Sequence, residues 1–270
     1  MATYLDRIAA WHRDAAATDR RDVKDLAAEA RAMPPPRDFT EPLKALGSRR
    51  TGQAAIALVA EIKRRSPSKG DIAPDLDPVE VARAYASGGA SCLSVVTDGP
   101  HFGGSPKDLE LARAAVGLPV LRKDFTVSAA DLYDARIMGA DAVLLVVALL
   151  DDGELAELHQ IAGELDMAAL VEVHDELELE RALEIGARLV GVNQRDLHSF
   201  EVDRERAGRV ARQVPAGVLK IAESGVESHA QVAALAEAGF DGVLVGEALL
   251  RSRDRPAAVA ELLGRTVPCG

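Results

Sequence analysis

Aromatic side chains are scarce in this chain, 3% of 270 residues with a single Trp. A core built without them is aliphatic, and Ala, Val and Leu supply it, as suits a buried parallel sheet under helices. Cysteine is nearly absent. Cys92 and Cys269 form no metal or redox motif. Cys92 sits in an apolar run and reads as a small core residue, and Cys269 lies on the C-terminal tail. A reducing cytoplasm is the expected setting. Positive charge is in deficit, with a formal net charge of −11. Such a surface repels nucleic-acid phosphates, so nucleic acid is not an expected partner. No run is apolar for long enough to span a bilayer, and no membrane partner is expected. Met1-Ala2-Thr3-Tyr4-Leu5-Asp6-Arg7 lacks the basic start and apolar run of a secretory leader.

What is present is a repeat. From Ala54 onward, a short apolar run leads to a loop, an amphipathic helix, a Gly-containing turn and the next run. Ser87-Gly88-Gly89-Ala90 leads into Cys92–Val96, and Met138-Gly139-Ala140 leads into Ala142–Val147. Ile185-Gly186-Ala187 and Ala238-Gly239-Phe240 do the same before Leu189 and Val243. A helix closing on a left-handed Gly and returning to a buried strand is a βα unit. The runs lie near 56–63, 92–97, 118–123, 141–147, 168–173, 188–193, 218–223 and 242–246. Eight such units predict a closed (β/α)₈ barrel in the α/β class. An open doubly wound sheet is the alternative, but no Gly-x-Gly-x-x-Gly follows the first run. Asp77-Pro78 and Ser228-x-x-Gln231 read as helix starts. The first fifty residues are helical in character, broken at Pro34-Pro35-Pro36, with Gly47 to Gly52 as a linker. They are too short for a separate domain, so they read as a helical extension packed on one barrel domain spanning 1–270.

In this fold the active site forms at the C-terminal ends of the strands, so the charged strand ends matter. Side chains alternate along a strand, which sends Glu61 and Lys63 the same way and Ile62 the other. The following loop, Arg64 to Gly70, is basic and hydroxyl-rich and suits an anion. On the third strand, Lys123 shares a face with Leu121 and Phe125, and Phe125 offers a ring to a flat substrate. The bland reading is an Arg122–Asp124 surface pair with Lys123 merely exposed, but Lys123 repeats the strand-end pattern. Glu172 ends an apolar run on the fifth strand, where a carboxylate is paired or catalytic. Asp175 reads as a helix cap, and His174 is ambiguous, with a structural role favoured over a functional one. Asn193 and Arg195 share a face on the sixth strand. The seventh ends Glu223-Ser224-Gly225 and the eighth Gly246-Glu247. Glycines at these two strand ends suit a main-chain phosphate cradle, although each alone is a common turn residue. No soft-ligand cluster indicates a metal, and no nucleophile elbow is present. Lysines beside carboxylates then point to general acid–base chemistry on a phosphorylated small molecule.

Ordered motifs at these strand ends carry a resemblance. They are Ala60 to Gly70, Leu93 to Asp98 with Phe102 to Ser105, Pro119 to Phe125, and Leu170 to His174. They continue with Gly191 to Leu197, Glu223 to Val226 and Leu244 to Glu247. Over essentially its whole length the chain resembles indole-3-glycerol-phosphate synthase. The resemblance implies conversion of 1-(2-carboxyphenylamino)-1-deoxyribulose 5-phosphate to indole-3-glycerol phosphate, carbon dioxide and water, a step of tryptophan biosynthesis that needs no cofactor. It implies Lys123 as the acid for ring closure, with Glu172, Lys63, Glu61 and Asn193 as the other catalytic residues. Ser66, Phe102, Phe125, Arg195, Glu223, Ser224, Gly225, Gly246 and Glu247 would bind substrate and phosphate. Metal ligands are not implied, and a cytoplasmic monomer is expected. Gln194 stands where a second Asn is frequent, Gly103 where Gln is, and Ala130-Asp131 where Tyr-Gln is. By strand parity Gln194 faces away from Asn193. Two other readings compete. A Schiff-base aldolase also uses a strand-end lysine, and a barrel kept as a phosphate-binding module would need no acid–base set.

Overall fold

In the computed structural model, residues 3–47, 56–66, 69–195 and 203–265 are described. Cys269, positions 48–52 of the linker and the motif residues Pro67, Ser68, Asp196 and Leu197 lie outside them.

Eight parallel strands close into a barrel. They are β1 (Ala57–Ile62), β2 (Cys92–Val96), β3 (Val120–Lys123), β4 (Ala142–Val146), β5 (Ala168–Val173), β6 (Leu189–Asn193), β7 (Leu219–Glu223) and β8 (Gly242–Val245). Closure comes from β8 pairing with β1, Ala57 opposite Gly242 and Ala60 opposite Val245. Seven of the eight expected strands are found with one or both ends trimmed by one or two residues, and β5 matches its expected range. At β3 the reason is Pro119, which has no N–H for the ladder; its carbonyl still accepts from Leu93 N at 2.9 Å.

Helices α1 (Tyr4–Thr18), α2 (Val23–Ala32) and α3 (Glu41–Gly47) precede β1. Around the barrel follow α4 (Pro78–Gly88), α5 (Gly99–Phe102), α6 (Pro106–Ala115), α7 (Ala129–Ile137), α8 (Asp152–Glu164) and α9 (Glu176–Glu184). The last are α10 (Arg204–Ala211), α11 (His229–Glu237), α12 (Glu247–Leu250) and α13 (Arg255–Leu262). The helix starts follow the local signals. Asp77 caps α4 with Pro78 in the first turn, Asp175 caps α9, and Ser228 and Gln231 form a capping box on α11. Gly89 and Gly239 end their helices at φ +98° and +91°, the left-handed conformation that turns each chain back into a strand. One element was not expected: Arg65–Ser66 and Gly70–Asp71 form a small antiparallel ladder in the loop after β1.

The core has two layers. One lies between barrel and helices and includes Leu58, Leu93, Leu132, Leu155 and Tyr85. The other fills the barrel with Ala57, Val59, Cys92, Leu121, Leu144, Leu170, Leu189 and Ile221, joined by Phe39 and Leu43. Cys92 is therefore a core residue, and burial pushes its thiol pKa up.

The N-terminal extension does more than lie over the barrel. α1 brings Tyr4, Leu5 and Ile8 to the mouth. α2 packs along the flank against α7. The segment through α3 then plugs the opposite end, the foot, with Phe39 and Leu43. Burying two such side chains contributes about 1.5–3 kcal/mol each. Polar anchors hold this course. Asp141, at the foot, accepts from Arg37 N at 2.8 Å, Arg113 Nη2 at 2.9 Å and Val120 N at 2.9 Å. Arg37 Nη1 donates to the carbonyls of Val116 and Leu118 at 3.0 and 2.7 Å.

Candidate active site

Inner-facing positions alternate along every strand, and at the mouth the apolar series gives way to polar residues. Val59 is followed on that face by Glu61, Leu121 by Lys123, Leu170 by Glu172 and Ile221 by Glu223. Glu61, Lys123, Glu172 and Glu223 come from β1, β3, β5 and β7. Side chains from alternate strands form one interior layer of such a barrel, and here that layer is ionic rather than aliphatic.

Within it, Lys123 Nζ lies 3.1 Å from Glu172 Oε2 and 3.5 Å from Glu223 Oε2. Lys63 Nζ lies 2.5 Å from Glu61 Oε1. Asn193 Nδ2 donates to Glu172 Oε1 at 3.2 Å, and Asn193 Oδ1 accepts from Arg195 N at 3.0 Å. The three glutamates and Asn193 are buried. Gly191 makes the crowding possible. A Cβ there would stand 2.0 Å from Glu223 Oε1.

The electrostatics separate the two glutamates that face Lys123. Burial would raise the pKa of Glu172, but Lys123, His174 and the Asn193 hydrogen bond outweigh it and hold it at about 2. For Glu223, burial and the adjacent Glu172 charge raise it to about 8, with Lys123 offsetting only part. Burial would lower the pKa of Lys123, yet the carboxylates of Glu172, Glu223 and Glu61 reverse it and leave it raised. The layer thus holds an ammonium beside an ionised Glu172, and Glu223 takes up a proton more readily than an ordinary carboxyl group.

A cavity of about 380 Å³ opens above this layer. Every residue expected to act on or bind substrate lines it: Glu61, Lys63, Lys123, Glu172 and Asn193, then Ser66, Phe102, Phe125, Arg195, Glu223, Ser224, Gly225, Gly246 and Glu247. Its lining mixes apolar and polar groups. Val96, Leu144, Val146 and Leu244 from β2, β4 and β8 alternate around the barrel with the ionic strand ends, and Leu5, Ile8, Phe102 and Phe125 add further apolar surface. The Phe102 and Phe125 rings stand 6.1 Å apart. Ser224 and Gly225 adopt φ of +65° and +74° in succession. A left-handed Ser costs about 1–3 kcal/mol, which such sites hold by outside support. Gln194 supplies it: its side chain does face away from Asn193, and its Nε2 donates to Ser224 O at 2.8 Å. Ser66 Oγ and Glu223 Oε1 are buried without a hydrogen-bond partner among the described residues.

Residues 5–262 match the family model described as indole-3-glycerol phosphate synthase. The chain belongs to this family. Among curated relatives, the indole-3-glycerol phosphate synthase of Micrococcus luteus is 51% identical over 86% of this chain and 86% of its own length. That of Mycobacterium ulcerans is 47% identical over 97% of this chain and 94% of its own. Indole-3-glycerol phosphate synthase 2 of Ralstonia nicotianae is 46% identical over 90% and 89%. Among solved structures, a thiamine phosphate pyrophosphorylase from Pyrococcus furiosus superposes with a TM-score of 0.57 at 17% identity, covering 78% of this chain and 94% of its own. That likeness speaks for the barrel alone.

Some residues at the site of this family member were not legible in the sequence. Tyr4, Leu5 and Ile8 reach the cavity from a helix far away in the chain. The Arg122–Asp124 pair, at 3.1 Å, is no surface pair. Asp124 is buried, and Arg122 also donates to Thr97 Oγ1 at 3.1 Å and Asp131 O at 2.6 Å. The pair thus ties the end of β3 to the loop after β2 and to α7. His174 is more than structural filler. Its Nδ1 meets Glu178 Oε2 at 2.9 Å, and its Nε2 stands 3.6 Å from Glu172 Oε1. Burial would lower its pKa, but the Glu178 hydrogen bond and the Glu172 charge raise it overall.

Proposed function

We propose that this cavity closes the pyrrole ring of indole-3-glycerol phosphate from 1-(2-carboxyphenylamino)-1-deoxyribulose 5-phosphate. The observation that carries the reading is Lys123. It stands as an ammonium beside Glu172 and Glu223 on the floor of a cavity lined by both charged and apolar groups. An aryl ring and a sugar phosphate require both kinds of lining. Phe102, Phe125, Leu5 and Ile8 would take the ring. Main-chain groups at Gly225 and Gly246, with Ser66 and Lys63, would take the phosphate. Arg195 would meet the substrate carboxylate.

Lys123 gives its proton to the ribulose carbonyl oxygen while the ring carbon that bears the carboxylate attacks the carbonyl carbon. The new C–C bond leaves that ring carbon saturated and the ring a cation. Carbon dioxide departs, its bonding electrons return to the ring, and aromaticity is restored. The hydroxyl now on the five-membered ring leaves as water with a proton from Lys63. Glu172 removes the proton from the neighbouring carbon, and the indole forms. Glu61 holds Lys63, Asn193 holds Glu172, and Glu223 faces Lys123 beside Glu172. Ser224 and Glu247 complete the wall around the phosphate. The reaction would run in the cytoplasm on a single barrel domain.

A Schiff-base aldolase needs a lysine with a lowered pKa, so that the free amine can attack. Lys123 has a raised one, which disfavours that reading. The test is to mix purified protein with the substrate and follow indole fluorescence. A rise that is lost in Lys123→Ala supports the reading. A folded protein that yields no indole would refute it and favour the phosphate-binding module.

A further inference from the structure

At the rim of the cavity, three side chains from three elements converge. His12 comes from α1, Asp98 follows β2 and caps α5, and His101 lies on α5. Asp98 Oδ2 meets His12 Nε2 at 2.9 Å and His101 Nδ1 at 2.9 Å. The two ring nitrogens and the carboxylate oxygen all lie within 4.8 Å of one another. The other oxygen, Asp98 Oδ1, accepts from His101 N at 2.6 Å and Phe102 N at 3.0 Å, so the carboxylate is already oriented. Asp98 is 2% exposed and the His12 side chain 10%. A second carboxylate is near, with Asp124 Oδ1 at 3.8 Å from His12 Nε2.

We propose that His12, Asp98 and His101 form a binding site for a divalent transition-metal ion of the zinc class, and that the ion ties α1 to the loop after β2 at the cavity rim. Two imidazoles and one carboxylate suit such ions, whereas magnesium and calcium prefer sites made wholly of oxygen. Three protein ligands leave a fourth position for water. Zinc bonds of about 2.1 Å in a tetrahedron separate ligand atoms by about 3.4 Å, so the two close contacts need open only by about half an ångström. The Asp98 hydrogen bonds to backbone amides are the outer support that metal carboxylates require. The charge also fits, since two carboxylates, Asp98 and Asp124, lie against the site. Because α1 also carries Leu5 and Ile8 on the cavity wall, the ion would fix part of that wall. Binding itself does not depend on the proposed reaction.

The chain carries its own reporter. Its only tryptophan, Trp11, stands edge-on 4.8 Å from the His12 ring and 5.9 Å from that of His101. The experiment titrates the full chain, without an affinity tag, with Zn²⁺ by calorimetry and with Co²⁺ by Trp11 fluorescence and visible absorption. One equivalent should bind, Co²⁺ should quench Trp11, and residues 4–18 should gain protection from hydrogen exchange with Zn²⁺. His12→Gln and His101→Phe should each weaken binding at least tenfold, while His159→Gln on α8 should not. The two variants lie on different elements, so misfolding of one leaves the other to decide. Absence of one-equivalent binding, affinity unchanged in the variants, or binding without added protection of α1 would each overturn the proposal.

Discussion

The two ends of this barrel bury carboxylates in opposite ways. At the foot, Asp141 is fully buried and meets Arg113 and the amides of Arg37 and Val120. At the mouth, Glu223 is equally buried, but its Oε1 has no hydrogen-bond partner among the described residues and its pKa is raised to about 8. A satisfied charge pins chain segments together and contributes to stability. A crowded charge stores electrostatic strain that a bound substrate can use. The same strands serve both ends, so the division of labour is set along each strand by a few residues.

The comparison breaks if mouth and foot respond alike to substitution. The largest effect is expected at Lys123. Lys123→Ala should lower product formation by about 10³-fold or more, since a positioned general acid is worth about 10²–10⁴. Circular dichroism and binding of a phosphate analogue should stay near those of the parent. Loss of the fold instead would mean that the ionic layer is structural. At the foot the outcome should invert. Leu43 is fully buried among barrel residues, and Leu43→Ala should cost about 2–5 kcal/mol in denaturant unfolding while kcat of the folded fraction stays unchanged. A fall in kcat as large as the Lys123→Ala effect would show that the two ends are coupled.

Gly191 sharpens the contrast within the mouth. Gly191→Ala would place a Cβ against Glu223 Oε1, and relief of such overpacking costs about 1–3 kcal/mol. If the carboxylate moves, kcat should fall about five- to hundredfold with a smaller change in thermal stability. An active Gly191→Ala enzyme would remove Glu223 from the working layer. The smallest effects are slopes with pH. The folded pKa of Glu223 is raised, so its protonated form favours the fold below the ordinary value of 4.5, and that stability is lost as pH rises through about 8. The folded pKa of Glu172 is lowered, so its contribution is present above 4.5 and is lost as pH falls through about 2. Unfolding of Glu223→Gln against the parent should therefore show a gap that grows in favour of the variant toward alkaline pH. Glu172→Gln should show one that closes toward acid. Parallel curves for both variants would mean that the two carboxyl groups are not held apart in charge.

Much of the site was readable because strand alternation is local. Once Val59, Leu121 and Ile221 point inward, Glu61, Lys123 and Glu223 must do so two residues later. The bland alternative of an Arg122–Asp124 surface pair fails because Thr97 and Asp131, the further partners of Arg122, are chosen by sheet register and by the packing of α7, not by spacing. The same holds for His12, Asp98 and His101, where α2, α3, β1, α4 and β2 separate the two histidines. Glu172 stands only two residues before His174, so that contact was open to the same alternation argument, and the structural reading of His174 passed over it.

The amino-acid sequence alone determined the eight strands, the direction of each strand-end side chain, the glycine turns and the acidic, aromatic-poor surface. All follow from dihedral preference, alternation and charge, which neighbouring residues impose. Tertiary structure alone decided that Lys123 lies between Glu172 and Glu223, that Gly191 opens the space they need, and that residues 3–47 roof the mouth and plug the foot. Those are meetings between residues tens to more than a hundred positions apart. Only closure of the barrel, with its fixed stagger between strands, brings them within reach.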